Sequence, residues 1–212
     1  MSAPSEDYFR AIAEGAEHHA GSKTYSGSLL RPHKPFLSDM IARLGCKSAV
    51  DVGCGKGTQY QWIDPGDGKT LEQAWGFDVR KFDPCWPPFA AEPIGQFDLA
   101  LCTHTMSLIP HADLEWFTQK LFRYATKGVF VAEKIGERKK ADVADPEQRA
   151  INWTRAQWVS WIALMADEFG DLPEVVLSTR EWLDRGIITT RHIWRNGRFV
   201  EAIEAKPRGE QE

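Results

Sequence analysis

The segment SAVDVGCGKGTQY, residues 48–60, constrains the fold more than any other stretch of the chain. Its apolar run of Ala49, Val50 and Val52 ends in Gly53, Gly55 and Gly57, with Cys54 between the first two glycines. Glycines there let another group touch the main chain directly. A turn leaving a parallel strand for a helix presents unpaired N–H groups, and the positive helix end favours an anionic or polar ligand group. In open α/β sheets such ligands settle beyond the carboxyl ends of the strands, where strand order reverses. The segment therefore predicts a buried strand followed by a loop for a nucleotide-like cofactor.

The rest of the chain alternates in the same way. AWGFDV (74–79), FDLALC (97–102) and GVFVAE (128–133) read as further buried strands. Helices are expected from Ser5 to Ala20, from Pro35 to Gly45, and through Leu114, Phe117, Leu121 and Phe122 to a stop at Gly128. Short apolar strands alternating with helices predict a parallel sheet covered on both faces. Farther on, Thr154 and Gln157 form a capping-box pattern ahead of Trp158, Trp161, Ile162, Met165 and Phe169, a helical stripe stopped by Gly170. EVVLSTR (174–180) reads as a strand, and Asn196-Gly197 predicts a hairpin. The expected architecture is α/β and Rossmann-like, mostly parallel and ending in an antiparallel hairpin. One domain is expected over 1–212, with N-terminal helices and a lid in 1–45, a cofactor-binding core in 46–135, and an acceptor-side helix and strands in 136–212.

Composition narrows the function classes. A net charge of −4 argues against a protein that clamps long nucleic acids through many phosphate contacts. No apolar run approaches the roughly 18 residues of a membrane span. The N-terminus lacks the basic-then-apolar pattern of an export signal. Cys46, Cys54, Cys85 and Cys102 form no CxxC pair, so no zinc or disulfide framework is expected, and a reduced, cytoplasmic setting is the simpler reading.

The glycine spacing speaks to the cofactor. In the dinucleotide fingerprint the third glycine would fall at position 58, which is Thr58. Asp51 precedes the glycines by two residues; a carboxylate there is unhelpful beside a pyrophosphate but could hold an ammonium group through its neighbours or by water. Asp78, with Val79 beside it, is expected at the end of the second strand, accepting hydrogen bonds from ribose hydroxyls. Residues 25–134 resemble the class I S-adenosylmethionine-dependent methyltransferases. FDLALCTHTMSLIP is similar to their fourth-strand motif FDLV-x-C-T-x-V-L-E-H-I-P, and ATKGVFVAEK to their fifth strand. FDPCWPPFAAEPIGQ resembles the short link that replaces the third strand and helix in small bacterial and phage members, and YSGSLL resembles their G-x-S-L segment.

The resemblance implies a methionine-side loop of Asp51, Gly53, Gly55 and Gly57, and ribose recognition by Asp78. It implies a pocket lined by Cys102 and Thr103, and a lid from Tyr25 to Ser28. It also implies S-adenosylmethionine as cofactor. The motif departs from the family at His104, Ser107 and Leu108, and Glu92 is the one acid available in the shortened link to contact adenine. Methyl transfer needs mainly alignment in a dry pocket. A base is needed only if the acceptor must lose a proton. His104 reads either as that base or as a polar residue bonding a nearby turn. His111, Glu133 and Lys134 are weaker candidates, Trp153 is a candidate pocket wall, and Arg191, Arg195 and Arg198 read as facing water. The run 136–149 reads as a solvated loop or a contact for an acidic substrate. The leading expectation is methyl transfer to an O or N atom of a small-molecule acceptor. Alternatives are a methyltransferase acting on nucleic acid or protein, and a non-catalytic S-adenosylmethionine-binding protein. The missing (D/N/S)-P-P-(Y/F/W) motif disfavours methylation of base amino groups, and the glycine spacing disfavours a nicotinamide dehydrogenase.

Overall fold

Val50 and Val52 alternate with Ala49 and Asp51 along the first strand, and all four side chains are buried. A strand buried on both faces needs a cover on each, and a computed structural model supplies it; residues 3–21, 26–135, 151–183 and 186–205 are described. Seven strands form one sheet: β1 (Ala49–Val52), β2 (Val79–Phe82), β3 (Phe97–Thr103), β4 (Ala125–Ile135), β5 (Glu174–Leu183), β6 (Gly186–Arg195) and β7 (Arg198–Ala205). Their order is β2-β1-β3-β4-β5-β6-β7. The first five are parallel, and β6 and β7 are antiparallel. The fold is Rossmann-like α/β, mostly parallel with an antiparallel end. From β1 the chain moves outward to β2 and then returns across β1 to β3, so the strand order reverses beside the glycine loop.

Two apolar layers flank the sheet. On one face α2 (Lys34–Leu44) and α3 (Leu71–Trp75) bury Leu37, Met40, Ile41 and Leu71 against Leu99, Leu101, Phe130 and Val176. On the other, α4 (Leu114–Arg123) and α5 (Arg155–Glu168) bury Leu121, Phe122, Trp158 and Ile162 against Val50, Ala100, Val129 and Val131. Gly128 suits the close packing of α2 and β5 on β4, since a Cβ there would lie 2.8 Å from Met40 Cε and 3.1 Å from the Glu174 carbonyl oxygen. Glu174, buried at the start of β5, accepts from both Arg43 and Arg195. The hairpin turn places Asn196 and Gly197 both at positive φ, the geometry such turns require. No helix among the described residues is long and apolar enough to cross a membrane.

Two expected elements are displaced. Ala74 and Trp75 close α3 rather than open a strand, because Thr70 and Gln73 form a reciprocal capping box and Gly76 ends the helix at φ 78°. The second strand consequently begins at Val79. The helix expected to reach Gly128 stops at Arg123, and Ala125 to Lys127 join β4 by pairing from Phe97 onward.

Candidate functional site

The carboxyl ends of β1 to β4 open into a cavity of about 470 Å³, and α1 (Glu6–Gly21) lies across it as a roof. The roof is anchored at its start, where the Ser5 amide and hydroxyl both donate to the Asp113 carboxylate at 2.7 and 2.6 Å. Tyr8 seats it through an edge contact with Trp116, their ring centroids 4.9 Å apart. Gly15 allows close approach to the floor, since a Cβ there would meet Cys85 Sγ at 2.7 Å.

The glycine loop reaches the cavity at Gly53 and Gly55, both at positive φ. A Cβ on Gly53 would lie 2.1 Å from Thr105 Oγ1, so only glycine permits the β1 and β3 loops to meet. The expected helix does not follow. Gly57 starts a single 3-10 turn over Thr58–Tyr60, and the loop amides are already engaged. Gly53 and Cys54 donate to the Phe82 carbonyl, Gly57 to Cys54, Thr58 to Ser26 and Gln59 to Gly27. Among the described residues no helix start therefore presents a row of free amides to an anion here.

The acid at the tip of the second strand is Asp83, not Asp78. Asp78 is exposed, precedes β2 at its amino end and lies outside the cavity wall, and Val79 points into the core. The shift follows from the late start of β2, which carries the carboxyl end to Phe82. Asp83 is buried in the cavity wall, its Oδ2 accepting from the Gly55 amide at 2.8 Å and its Oδ1 from Cys85 at 2.9 Å. The Phe82-Asp83-Pro84 tripeptide was the available sequence signal, since it repeats Phe77-Asp78 and runs straight into the proline-rich link.

Asp51 does not reach the cavity. It is fully buried on the α2 face, where Oδ2 accepts from Gln59 Nε2 at 2.7 Å and from Tyr60 Oη at 2.8 Å, while Oδ1 has no donor among the described residues. Burial pushes its carboxyl up to about 7 against the two donated hydrogen bonds. Its role is to pin the 3-10 turn that carries the glycine loop.

The remaining expected residues divide. Thr103 and His104 line the cavity; Cys54, Gly57 and Cys102 support it from behind, the two cysteines fully buried with thiols pushed far up by burial. Ser28 accepts from Ser26 in the lid segment, whose Gly27 lines the cavity, and Tyr25 lies outside the described residues. His104 sits in the left-handed region at φ 56°, while its amide still bonds the Ala132 carbonyl of β4 at 2.8 Å. A non-glycine residue held there costs about 1–2 kcal/mol, and such strain gathers at functional sites. Lys134 lines the cavity, whereas Glu133 is buried on the other face and accepts from the Ser107 amide. His111 and Glu92 lie outside the cavity wall; Glu92 pairs with Lys120. Trp153 does not line this cavity; its ring packs against Trp158 and Trp161, with centroids 4.8 and 5.7 Å away. Two of the three arginines read as facing water have partners: Arg195 holds Glu174, and Arg191 is half-buried over Phe36. The run 136–149 lies outside the described residues.

No protein-family model matches the chain, and no curated protein is detectably similar to it.

Proposed function

We propose that this chain is an S-adenosylmethionine-dependent methyltransferase acting on an O or N atom of a small molecule. The observation that carries the reading is Asp83, a buried carboxylate at the tip of β2 that also holds the Gly55 amide. Each of its oxygens accepts one backbone N–H, and a carboxylate has acceptor capacity beyond that for a pair of ribose hydroxyls. The roofed volume of about 470 Å³ lies in the range of small-molecule and cofactor sites. The cofactor, when bound, supplies a methyl group made electrophilic by its sulfonium.

The chain's own residues have separate tasks. Asp83 would take the ribose, and the bare backbone of Gly27, Gly53 and Gly55 would leave room for the nucleoside. Val52 and Phe117 supply apolar walls under the α1 roof, which contributes Tyr8 and would exclude water. Holding acceptor and methyl in line is worth around 7–11 kcal/mol of the barrier. His104 lines the same cavity, and in this reading it is the group that would accept a proton from a hydroxyl or phenol acceptor. A dinucleotide is disfavoured because a pyrophosphate would find the loop amides occupied and no long helix behind them.

Calorimetry with S-adenosylhomocysteine and with NAD tests the reading. Saturable heat with the first alone is expected; heat with NAD alone, or with neither on folded protein, ends it. Transfer of labelled methyl to metabolite pools rather than to RNA or protein is then expected, and binding without transfer to any pool would leave a sensor.

A further inference from the structure

Beside the cavity the α2 face of the sheet changes from apolar to basic. In β4 and β5 the paired residues Lys134 and Arg180 follow Ala132 and Ser178, and Ser178 is in turn the register partner of Arg191 in β6. Paired positions share a face, so Lys134, Arg180 and Arg191 stand together at the carboxyl end of the parallel strands, on the side that α2 covers. Phe36 of α2 holds the Arg191 guanidinium 4.6 Å from its ring centre, and His33, just ahead of the helix, lies edge-on to Phe130 with centroids 5.1 Å apart.

Three side chains here, His33, Ser178 and Arg191, keep buried polar atoms without a hydrogen-bond partner among the described residues. His33 is 1% exposed and neither ring nitrogen has a hydrogen-bond partner; Ser178 is fully buried and its Oγ has none. Arg191 has no carboxylate partner among the described residues, and its Nε is buried and unbonded. Burial pulls the Arg191 guanidinium below its ordinary range with no acid opposing the effect. His33 is held down to about 3 by burial and by the nearby charges of Arg191, Arg180 and His104. A half-buried cation without a counter-charge is costly, and a ring face offsets only part of that. The patch is continuous with the cavity through Lys134 and His104, which line it.

We propose that Arg191, Arg180 and Lys134, with Ser178 and His33 behind them, form a subsite for an anionic group, so that the acceptor is a small molecule carrying a carboxylate or a phosphate. This rests on the methyltransferase reading, and it places the anion on the acceptor side of the cavity, across from Asp83. Both anions present oxygens in the plane or tripod that a guanidinium fork and a serine hydroxyl can serve together.

The test is calorimetry on the full chain in Tris-chloride, titrating inorganic phosphate and, separately, benzoate, each with and without saturating S-adenosylhomocysteine. Saturable binding of one probe is expected, and which one binds distinguishes phosphate from carboxylate acceptors. Arg191→Gln should weaken that binding about tenfold or more, the loss of one charge-assisted contact, while changing S-adenosylhomocysteine affinity less than about twofold. Ser178→Ala, a gentler change at the same subsite, should weaken the probe in the same direction and keeps the test open if the arginine variant does not fold. Failure of both probes to saturate, or wild-type probe affinity in both variants, overturns the proposal. A matching loss of S-adenosylhomocysteine affinity in Arg191→Gln also overturns it, since the patch would then hold the cofactor's own carboxylate. Arg191-dependent probe binding without any S-adenosylhomocysteine heat would keep the anion subsite and remove the methyl-transfer reading.

Discussion

The Gly55 amide donates to the Asp83 carboxylate at 2.8 Å, joining the loop after the first strand to the tip of its neighbour. Asparagine at 83 keeps one acceptor oxygen and turns an NH2 group toward the other backbone amide. An N–H left unsatisfied in that setting costs about 1–3 kcal/mol. Asp83→Asn should therefore lower the melting temperature and weaken S-adenosylhomocysteine at least about tenfold. Asp78→Asn, at the exposed amino end of β2, should change neither. Melting curves and calorimetry on the two variants check both expectations, and equal effects would return the ribose role to Asp78.

Gly27 sits where the segment 26–28 crosses the glycine loop. Its φ is +70°, and a Cβ there would lie 2.0 Å from the Cys54 carbonyl oxygen and 2.7 Å from the Gly57 nitrogen. Both obstacles are backbone, so neither can swing aside. Gly27→Ala should displace this segment and release the Thr58 and Gln59 amides from Ser26 and Gly27. Hydrogen exchange should quicken at those two amides while Leu99 to Leu101 in the central strand keep their protection.

The parts of this fold readable in the sequence are those whose signal is local. The run from Ala49 to the glycines, the continuous apolar β3, the Thr154/Gln157 cap and the Asn196-Gly197 turn each carry their own chemistry. β2 was illegible because Val79-Arg80-Lys81-Phe82 buries only its two ends, and Phe77-Asp78 offered a decoy one strand-length early. Gly128 reads as a helix stop; its close packing against Met40 and the Glu174 carbonyl exists only once α2 and β5 are docked. The cavity roof is equally hidden, since periodicity assigns α1 an apolar face but not what that face covers. Arg191 looks solvent-facing until Phe36 is brought beneath it.

Glu174 and its two arginines tie α2 to the antiparallel end of the sheet. Arg43 reaches the buried carboxylate with two bonds of 2.9 Å, and Arg195 with one of 2.9 Å. Removing one partner of a buried pair is far worse than removing both. Arg43→Met should destabilise the chain by about 1–3 kcal/mol, since Glu174 loses two of its donors and keeps Arg195, and Arg43→Met with Glu174→Leu should cost less than the two single losses together. Urea unfolding of the single and double variants measures the difference; additive losses would contradict the pairing.

Asp51 should act on stability in the opposite sense to most carboxylates. Its carboxyl is pushed from an ordinary 3.8 up to about 7, chiefly by burial. Between those values the folded chain holds a proton that the unfolded chain releases, so stability falls as pH rises through the window. The contribution is fully present below 3.8 and lost once pH passes about 7, where a bare carboxylate must be kept in the core. Asparagine preserves the acceptor that Gln59 and Tyr60 use and cannot ionise. Wild type and Asp51→Asn should therefore differ most in wild type's favour near pH 4, and the difference should shrink or reverse by pH 8. Urea titrations at intervals across that range give the difference directly, isolating this group from every other that titrates. A difference that stays level with pH would mean that Asp51 is ionised throughout and that its two donors suffice to hold it so.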